Sequence, residues 1–418
     1  MKIEIINTGT ELLIGDVINT NAAWLGQRLV GLGLSVDRST CVPDGMAIED
    51  ALNEACRRAD IVIVTGGLGP TSDDVSREAA AGVFGVPLET NAEAMATLVT
   101  YFAKRGKGVN EHNQRQALAP VGSELIPNPH GTAPGHYLPA SMGVAKGLNC
   151  AVFLMPGPPR ELKPMMVEQV EPRLRALLPA GEDRICQYFR FTGIGESDIS
   201  MALQEGLEAI GDLEIGYCLG KGDVDVRLYG TPAKMTQAAA FCQARLGEFL
   251  VSNDRRLLEE VVVDLLKTKG QFVATAESCT GGFIANRLTN VSGSSHVFGY
   301  GFVTYANESK TQQLGVPAEL IKQHGAVSEQ VAASMAEGCL RVSGADYALA
   351  VTGIAGPTGG SPEKPSGTVF IAIASKNHPT EVKKRWFHGE RERFKIHTSQ
   401  TALDFLRRRL CEYALPNE

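Results

Sequence analysis

Runs of β-branched residues alternate with runs of helical periodicity from the first residue onward, and few folds accommodate that order. Ile3 to Asn7 reads as a strand, Ala22 to Leu32 as a helix, Leu34 to Val42 as a strand, Ala47 to Arg58 as a helix and Ile61 to Thr65 as a strand. Strand and helix in succession imply a doubly wound, largely parallel α/β sheet with helices on both faces. Ile61-Val62-Ile63-Val64 is apolar throughout and leads into Gly66-Gly67, the pattern of a central strand feeding a functional loop. A second such run, Ala151 to Met155, ends in Pro156-Gly157-Pro158-Pro159, and Arg160 then opens a helix. Between them, Pro120 to Pro139 is rich in Pro, Gly and His and reads as extended segments and turns without a helix.

From about Glu171 the texture changes. Gln187 to Phe191 is a strand, Glu196 to Leu207 a helix and Asp223 to Tyr229 an alternating strand, which makes a small α+β module. Ser252-Asn253-Asp254 offers a cap for a helix over Leu257 to Lys269, and a third domain starts there. It carries a strand at Phe272 to Ala276, a helix at Phe283 to Thr289, strands at His296 to Tyr305, Tyr347 to Thr352, Gly367 to Ser375 and Val382 to His388, and a closing helix over Phe394 to Cys411. The 418 residues exceed what one hydrophobic core serves, and the expected domains are 1–170, 171–252 and 253–418.

No unbroken apolar run approaches the ~20 residues of a bilayer span, and Met1 to Ile6 lacks the basic head of a secretory signal. A cytoplasmic protein without a membrane partner is expected. Nine cysteines with no C-x-x-C pair fit reduced thiols. A formal charge of −7 argues against broad attraction to nucleic acid, so phosphate recognition must be local.

Glu277-Ser278-Cys279-Thr280-Gly281-Gly282 lies where a strand hands over to a helix. A serine there is exposed at the carboxyl edge of the sheet, and the amides of Cys279, Thr280, Gly281 and Gly282 are candidates for an oxyanion hole and substrate contact. An N-capping Ser or Thr is the ordinary structural alternative. A serine nucleophile needs a base, and Tyr305 and Lys310 are the nearest candidates, with Asn307 placed to cap the short helix that holds Lys310. Lysine titrates near 10.4, so lowering it by about 3 units disfavours its charge by about 4 kcal/mol. A helix end supplies only about 0.3–1 kcal/mol, so desolvation must supply most of that and Lys310 must be buried. Gly353-Ile354-Ala355-Gly356-Pro357-Thr358-Gly359-Gly360 follows an apolar strand and can present amides to a phosphate, with Gly353, Ala355, Gly356 and Gly359 as candidates. A mobile surface loop is the alternative. Arg391, at the start of the last helix, could grip the same phosphate bidentately.

The set T-A-E-S-C-T-G-G, F-V-T-Y-x-N-E-x-K, H-G-A-V-S-E and G-I-A-G-P-x-G-G resembles the C-terminal domain of the CinA family and its stand-alone relatives, the nicotinamide mononucleotide deamidases. The resemblance implies attack by Ser278 on the nicotinamide carboxamide, release of ammonia and hydrolysis to nicotinic acid mononucleotide. It implies Lys310 as base, Tyr305 as its assistant, and no metal for that step.

In the N-terminal third, Gly9-Thr10-Glu11 follows the first strand and Gly66-Gly67-Leu68-Gly69-Pro70-Thr71-Ser72-Asp73-Asp74 follows the third. A doubly wound sheet brings both loops to one edge. Glycine amides suit phosphate, and the carboxylates Glu11, Asp73 and Asp74 suit a hard divalent cation. A double N-cap by Asp73 and Asp74 of a helix beginning near Val75 is the alternative. With Pro156-Gly157-Pro158-Pro159-Arg160-Glu161, these loops resemble the MoaB/MogA-like molybdopterin-binding fold in its CinA form. The resemblance implies a nucleotide site with Gly9, Thr10, Glu11, Asn21, Gly66, Gly67, Gly69 and Thr71, and a divalent metal (Mg, Mn or Co) on Asp73, Asp74 and Glu11, with a monovalent cation as a further candidate. It implies cleavage of ADP-ribose at its pyrophosphate. Asn19 stands where relatives often carry Asp. The middle module resembles the KH-like insert of the family, but no G-x-x-G clamp is present near its helix, so no nucleic-acid partner is expected. The implied partners are nicotinamide mononucleotide, ADP-ribose and a second copy of the chain. Two other readings remain at this point: an N-terminal domain that handles molybdopterin, and a non-catalytic protein of DNA uptake or damage response.

Overall fold

A computed structural model describes residues 1–178 and 184–416. The chain divides into two compact units, Met1–Ile185 and Cys186–Glu418. The first therefore extends past the boundary expected at residue 170, because the helix Glu171–Leu177 is fastened to it by Glu171, whose carboxylate accepts two hydrogen bonds from Arg28.

The main sheet of the first unit is built from β1 (Ile3–Thr8), β2 (Arg38–Val42), β3 (Ile61–Thr65), β4 (Glu124–Ile126), β5 (Gly135–Leu138) and β6 (Ala151–Met155). They form one sheet in the order β2-β1-β3-β6-β5-β4. β2, β1, β3 and β6 are parallel, whereas β5 and β4 run antiparallel at one edge. That edge is the Pro- and Gly-rich segment read as extended. Its turns are too short for the helical crossover that parallel strands need. The two sides of each central strand serve different helices. Val62, Val64, Val152 and Leu154 pack with α2 (Ala47–Cys56) and α3 (Ser76–Phe84), while Ile61, Ile63, Phe153 and Met155 pack with α1 (Thr20–Gly31) and α4 (Pro159–Met165). Burial on both faces explains why these strands read as continuous apolar runs.

The second unit holds two sheets. The smaller contains β7 (Ile185–Thr192), β8 (Glu214–Leu219), β9 (Asp223–Gly230) and β10 (Leu250–Ser252), in the order β8-β9-β7-β10, with helices α5 (Glu196–Ile210) and α6 (Pro232–Leu246). Then come α7 (Leu258–Lys269), β11 (Val273–Glu277), α8 (Phe283–Thr289), β12 (Phe298–Val303), α9 (Asn307–Leu314), α10 (Glu329–Ser343), β13 (Tyr347–Gly353), β14 (Thr368–Ser375), β15 (Glu381–Trp386) and α11 (Arg391–Leu410). The larger sheet has the order β12-β11-β13-β14-β15, with β12, β11 and β13 parallel and the other two antiparallel.

Alternation along these strands produces two unlike faces. Val273, Leu349, Val351, Ile371 and Ile373 pack with α7 and α11. On the other side, Ala274, Ala276, Ala348, Ala350, Ala372 and Ala374 meet α10. Small side chains let that helix lie close to the sheet, which fixes where the strand ends point. Helix α11 also ties the two sheets together, because Gln400 donates to Thr192 Oγ1 and Asp223, and Arg407 donates to the carbonyl of Leu250. Ser252 to Asp254 do not cap α7. Its N-cap is Leu257, whose N–H donates to Glu260 at 2.6 Å.

Candidate active site

Ser278 follows β11 directly. Its N–H donates to Val351 O on β13 at 3.0 Å, which ties the turn to the neighbouring strand, and Gly281 N–H donates to Ser278 O at 3.1 Å. Gly281 (φ +63°) and Gly282 (φ +92°) take left-handed conformations that a side chain would strain. Beneath the turn lies Glu277, fully buried, whose carboxylate accepts from Thr280 Oγ1 (2.6 Å), Ile284 N (3.0 Å) and Ala285 N (2.8 Å). These donors and the positive end of α8 compensate a charge that burial would otherwise disfavour. Glu277 was passed over in the sequence because its role follows no local capping spacing; the acceptor sits seven and eight residues before the amides it serves.

The turn's own backbone bonds use the Ser278 and Gly281 amides, and Glu277 takes those of Ile284 and Ala285. The amides of Cys279, Thr280 and Gly282 are the ones left for a developing oxyanion. Burial pushes the Cys279 thiol up to about 12, so it stays protonated and the serine is the nucleophile the turn offers.

Lys310, on α9, is 1% exposed. Its Nζ lies 3.3 Å from Ser278 Oγ and donates to Thr304 O (2.8 Å) and Tyr305 O (3.3 Å). Carbonyl oxygens only accept, so those two bonds fix two N–H vectors, and the remaining tetrahedral direction of the amine faces the serine. Burial holds its pKa below the ordinary lysine value, opposed more weakly by the charge of Glu308. Asn307 is the first residue of α9 rather than its cap, which is Ala306. Ser278 is 8% exposed instead of open, because Val351 and Lys310 hold the turn from two sides.

Tyr305 stands 61% exposed at the rim. Its hydroxyl accepts from Arg391 at 2.9 Å, and no hydrogen bond joins it to Ser278 or Lys310; its backbone carbonyl is what reaches the lysine. Arg391 also donates to Gly356 O at 3.2 Å, so Tyr305, Arg391 and the glycine loop meet at one place. Gly356 (φ +72°) and Gly359 (φ +91°) belong to that loop and Ala355 is buried beneath it, whereas Gly353 lies within the β13–β14 pairing opposite Val369.

In the first unit, the loops after β1, β2, β3 and β6 line a cavity of about 610 Å³ that includes Gly9, Glu11, Asn21, Asp44, Gly66, Gly67, Gly69, Thr71, Asp73 and Asp74. Thr10, expected there, donates through its N–H and hydroxyl to Asp44. Two buried residues that the sequence reading missed shape the glycine loop. Ser76 Oγ donates to Gly66 O and Ser76 N to Gly67 O, while the fully buried Arg77 donates to Leu68 O (2.7 Å) and Gly69 O (3.1 Å). A trans peptide points its N–H opposite to its carbonyl, so the amides of Gly67, Leu68 and Gly69 are turned away from these anchors.

Neither Asp73 nor Asp74 caps α3, whose N-cap is Val75; Asp74 instead accepts from the Thr71 N–H at 3.0 Å and from the Thr71 hydroxyl. Asn19 caps α1 through Ala22 N, and Asn21 Nδ2 donates to Gly157 O at 2.7 Å. Among the described residues no three His, Cys, Asp or Glu side chains are gathered as a metal cage. Glu11, Asp73 and Asp74 line the same cavity without converging. That donor set suits a hard cation that takes its other ligands from a bound phosphate and water, and does not suit a resident all-protein site. Among the described residues no helix is long and apolar enough to cross a membrane.

Fold and sites together define a mixed α/β protein that joins a MoaB/MogA-like domain to a serine–lysine constellation on a separate sheet. Residues 4–176 match the model of a probable molybdopterin binding domain, and residues 255–410 match the CinA C-terminal domain. A CinA-like protein of Akkermansia muciniphila is 48% identical over 404 residues, covering 96% of each chain, and one of Geobacter metallireducens is 42% identical over 423 residues, covering 99% of this chain and 100% of its own. The crystal structure of competence/damage inducible protein CihA from Agrobacterium tumefaciens is 44% identical, covers 37% of this chain and 93% of its own, and superposes with a TM-score of 0.36. The chain belongs to the CinA family.

Proposed function

We propose that the second unit hydrolyses the carboxamide of nicotinamide mononucleotide. The observation that carries this reading is the buried Lys310 amine with two N–H groups committed to carbonyls and its third direction on Ser278 Oγ at 3.3 Å. Lys310 takes the hydroxyl proton as Ser278 Oγ bonds to the amide carbon, and the amides of Cys279, Thr280 and Gly282 receive the oxyanion. The C–N bond then breaks, the lysine returns the proton to the leaving nitrogen, and ammonia departs. Water, deprotonated by the same lysine, cleaves the acyl ester and frees nicotinic acid mononucleotide and Ser278. Arg391, already steadied by Tyr305 and Gly356, keeps further donors for the substrate phosphate. Stoichiometric ammonia and nicotinic acid mononucleotide from the wild type, lost in Ser278→Ala, is the expected result. Undiminished turnover by a folded Ser278→Ala protein contradicts it.

For the first unit we propose metal-dependent cleavage of ADP-ribose, with the Gly67 to Gly69 amides toward the phosphates and Glu11, Asp73 and Asp74 holding a divalent cation. The cation would neutralise phosphate charge when bound. Cleavage should require added divalent metal and fail in Asp73→Ala; activity indifferent to strong chelation opposes the reading. Molybdopterin binding is the competing reading, favoured by the domain model that residues 4–176 match.

A further inference from the structure

The motif H-G-A-V-S-E, residues 324–329, takes no part in the chemistry proposed for the second unit, yet its backbone is firmly held. It joins the short helix Ala318–His324 to α10. Four successive carbonyls each accept from a side chain: Lys364 Nζ donates to His324 O at 3.1 Å and to Val327 O at 2.7 Å, Ser328 Oγ to Gly325 O at 2.8 Å, and Thr352 Oγ1 to Ala326 O at 2.7 Å. Thr352 stands just before the glycine loop and Lys364 near its far end. Both limbs of that loop are therefore fastened to one anchor, and α10, packed on the alanine face of the sheet, holds the anchor in place.

The anchor lies beside the reactive serine. Glu277 pairs with Val351 across β11 and β13, so Ser278 and Thr352 are neighbours on adjacent strands. Ala276 and Ala350 face α10, and alternation puts the next-but-one residues, Ser278 and Thr352, on that same face. Farther along, the loop changes character. Pro357 to Glu363 is exposed and carries Gly359 and Gly360, and among the described residues no hydrogen bond joins it to anything beyond Lys364. Arg391 grips its near end at Gly356 O, and Lys364 closes its far end. A stretch with so few bonds of its own takes its shape from those two ends.

We propose that Lys364 is a positioning residue for phosphate recognition in the second unit: by clamping the exposed tip to the carbonyls of His324 and Val327, it holds the glycine loop, and Arg391 docked on it, in the shape that receives the substrate's phosphate. The inference rests on reading the second unit as acting on a phosphate-bearing nucleotide. Lys364 acts through the loop, because two of its three N–H groups are committed to carbonyls. The reactive pair does not depend on it, since Lys310 and the turn at Ser278 draw their hydrogen bonds from other residues. Loss of the clamp therefore weakens binding and spares the chemical step.

The test uses full-length protein carrying Ser278→Ala, titrated calorimetrically with nicotinamide mononucleotide and with nicotinamide riboside, its counterpart without the phosphate. Adding Lys364→Met should weaken mononucleotide binding at least about tenfold and leave riboside binding within about twofold, whereas Lys364→Arg, which keeps donors for the same carbonyls, should recover most of the loss. In the otherwise wild-type enzyme, ammonia release by Lys364→Met should show KM raised by a similar factor with kcat nearly unchanged. Comparable melting temperatures, or recovery in Lys364→Arg, separate a lost clamp from a lost fold. Unchanged mononucleotide affinity in Lys364→Met, or an equal loss with the riboside, overturns the proposal even if ammonia is released, and so does a fall in kcat at constant KM. Binding that depends on Lys364 without ammonia release upholds the clamp and removes only the deamidase reaction. No saturable binding of the mononucleotide by the parent protein overturns both.

Discussion

The glycine turn after β11 and the glycine loop after β3 are built alike and finished differently. Both follow a buried parallel strand, and both are braced from beneath by a buried charged residue, Glu277 in one case and Arg77 in the other. The sign of the brace separates them. Glu277 accepts from helix amides and leaves the turn free to hold a buried lysine against a serine. Arg77 donates to the loop's carbonyls, and a hydroxyl of that loop, Thr71, meets a carboxylate, Asp74, instead of a buried lysine. One site carries a serine–lysine pair within the chain, whereas for the other, which has loop amides and carboxylates alone, we propose a phosphate ester and a cation. A strand-end glycine loop is therefore a scaffold whose chemistry is set by what lies under it.

Removing the base should break the comparison most severely. Lys310→Arg keeps a charge that cannot be shed, and ammonia release from nicotinamide mononucleotide should fall by about 10²–10⁴-fold. A smaller loss is expected for Glu277→Gln, which sets an N–H against helix amides. With a desolvation penalty of roughly 1–3 kcal/mol, kcat should drop about 10- to 100-fold with KM little changed, alongside a lower melting temperature. A rise in KM alone would show that Glu277 does not position the turn. On the other side, Arg77→Met strips two carbonyls of their donor and should destabilise the first unit by roughly 1–3 kcal/mol, read by urea unfolding. Wild-type stability would mean that the loop holds itself.

An effect confined to acidic conditions concerns His136, fully buried beside Arg77 with neither ring nitrogen paired. Burial, assisted by the charge of Arg77, pushes its pKa down to about 3 from 6.5. Between those values the unfolded chain binds a proton that the folded one does not, so stability declines as pH falls through that window. His136→Leu should flatten this part of the stability curve, and an unchanged slope would place the acid sensitivity elsewhere.

Much of this arrangement was legible in the sequence because it rests on periodicity. The apolar runs at Ile61 to Thr65 and Ala151 to Met155 announce central strands, and the position of Ser278, at a strand-to-helix handover, follows from the same reading. The burial of Lys310 followed from what a lysine base requires. What escaped depends on long-range contact. Glu277, Ser76 and Arg77 act through backbone groups that no spacing rule connects to them. Tyr305 was expected to assist the lysine, and in the fold its carbonyl meets Lys310 while its hydroxyl meets Arg391.

An uncharged amine at Lys310, poised on Ser278, is the centre of the account, and the pH profile of kcat/KM for ammonia release from nicotinamide mononucleotide addresses it most directly. A limb that rises with pH, with its midpoint below the ordinary lysine value of 10.5, and that vanishes in Lys310→Arg, is the predicted result. A flat profile, or one that falls as lysine loses its proton, would contradict it.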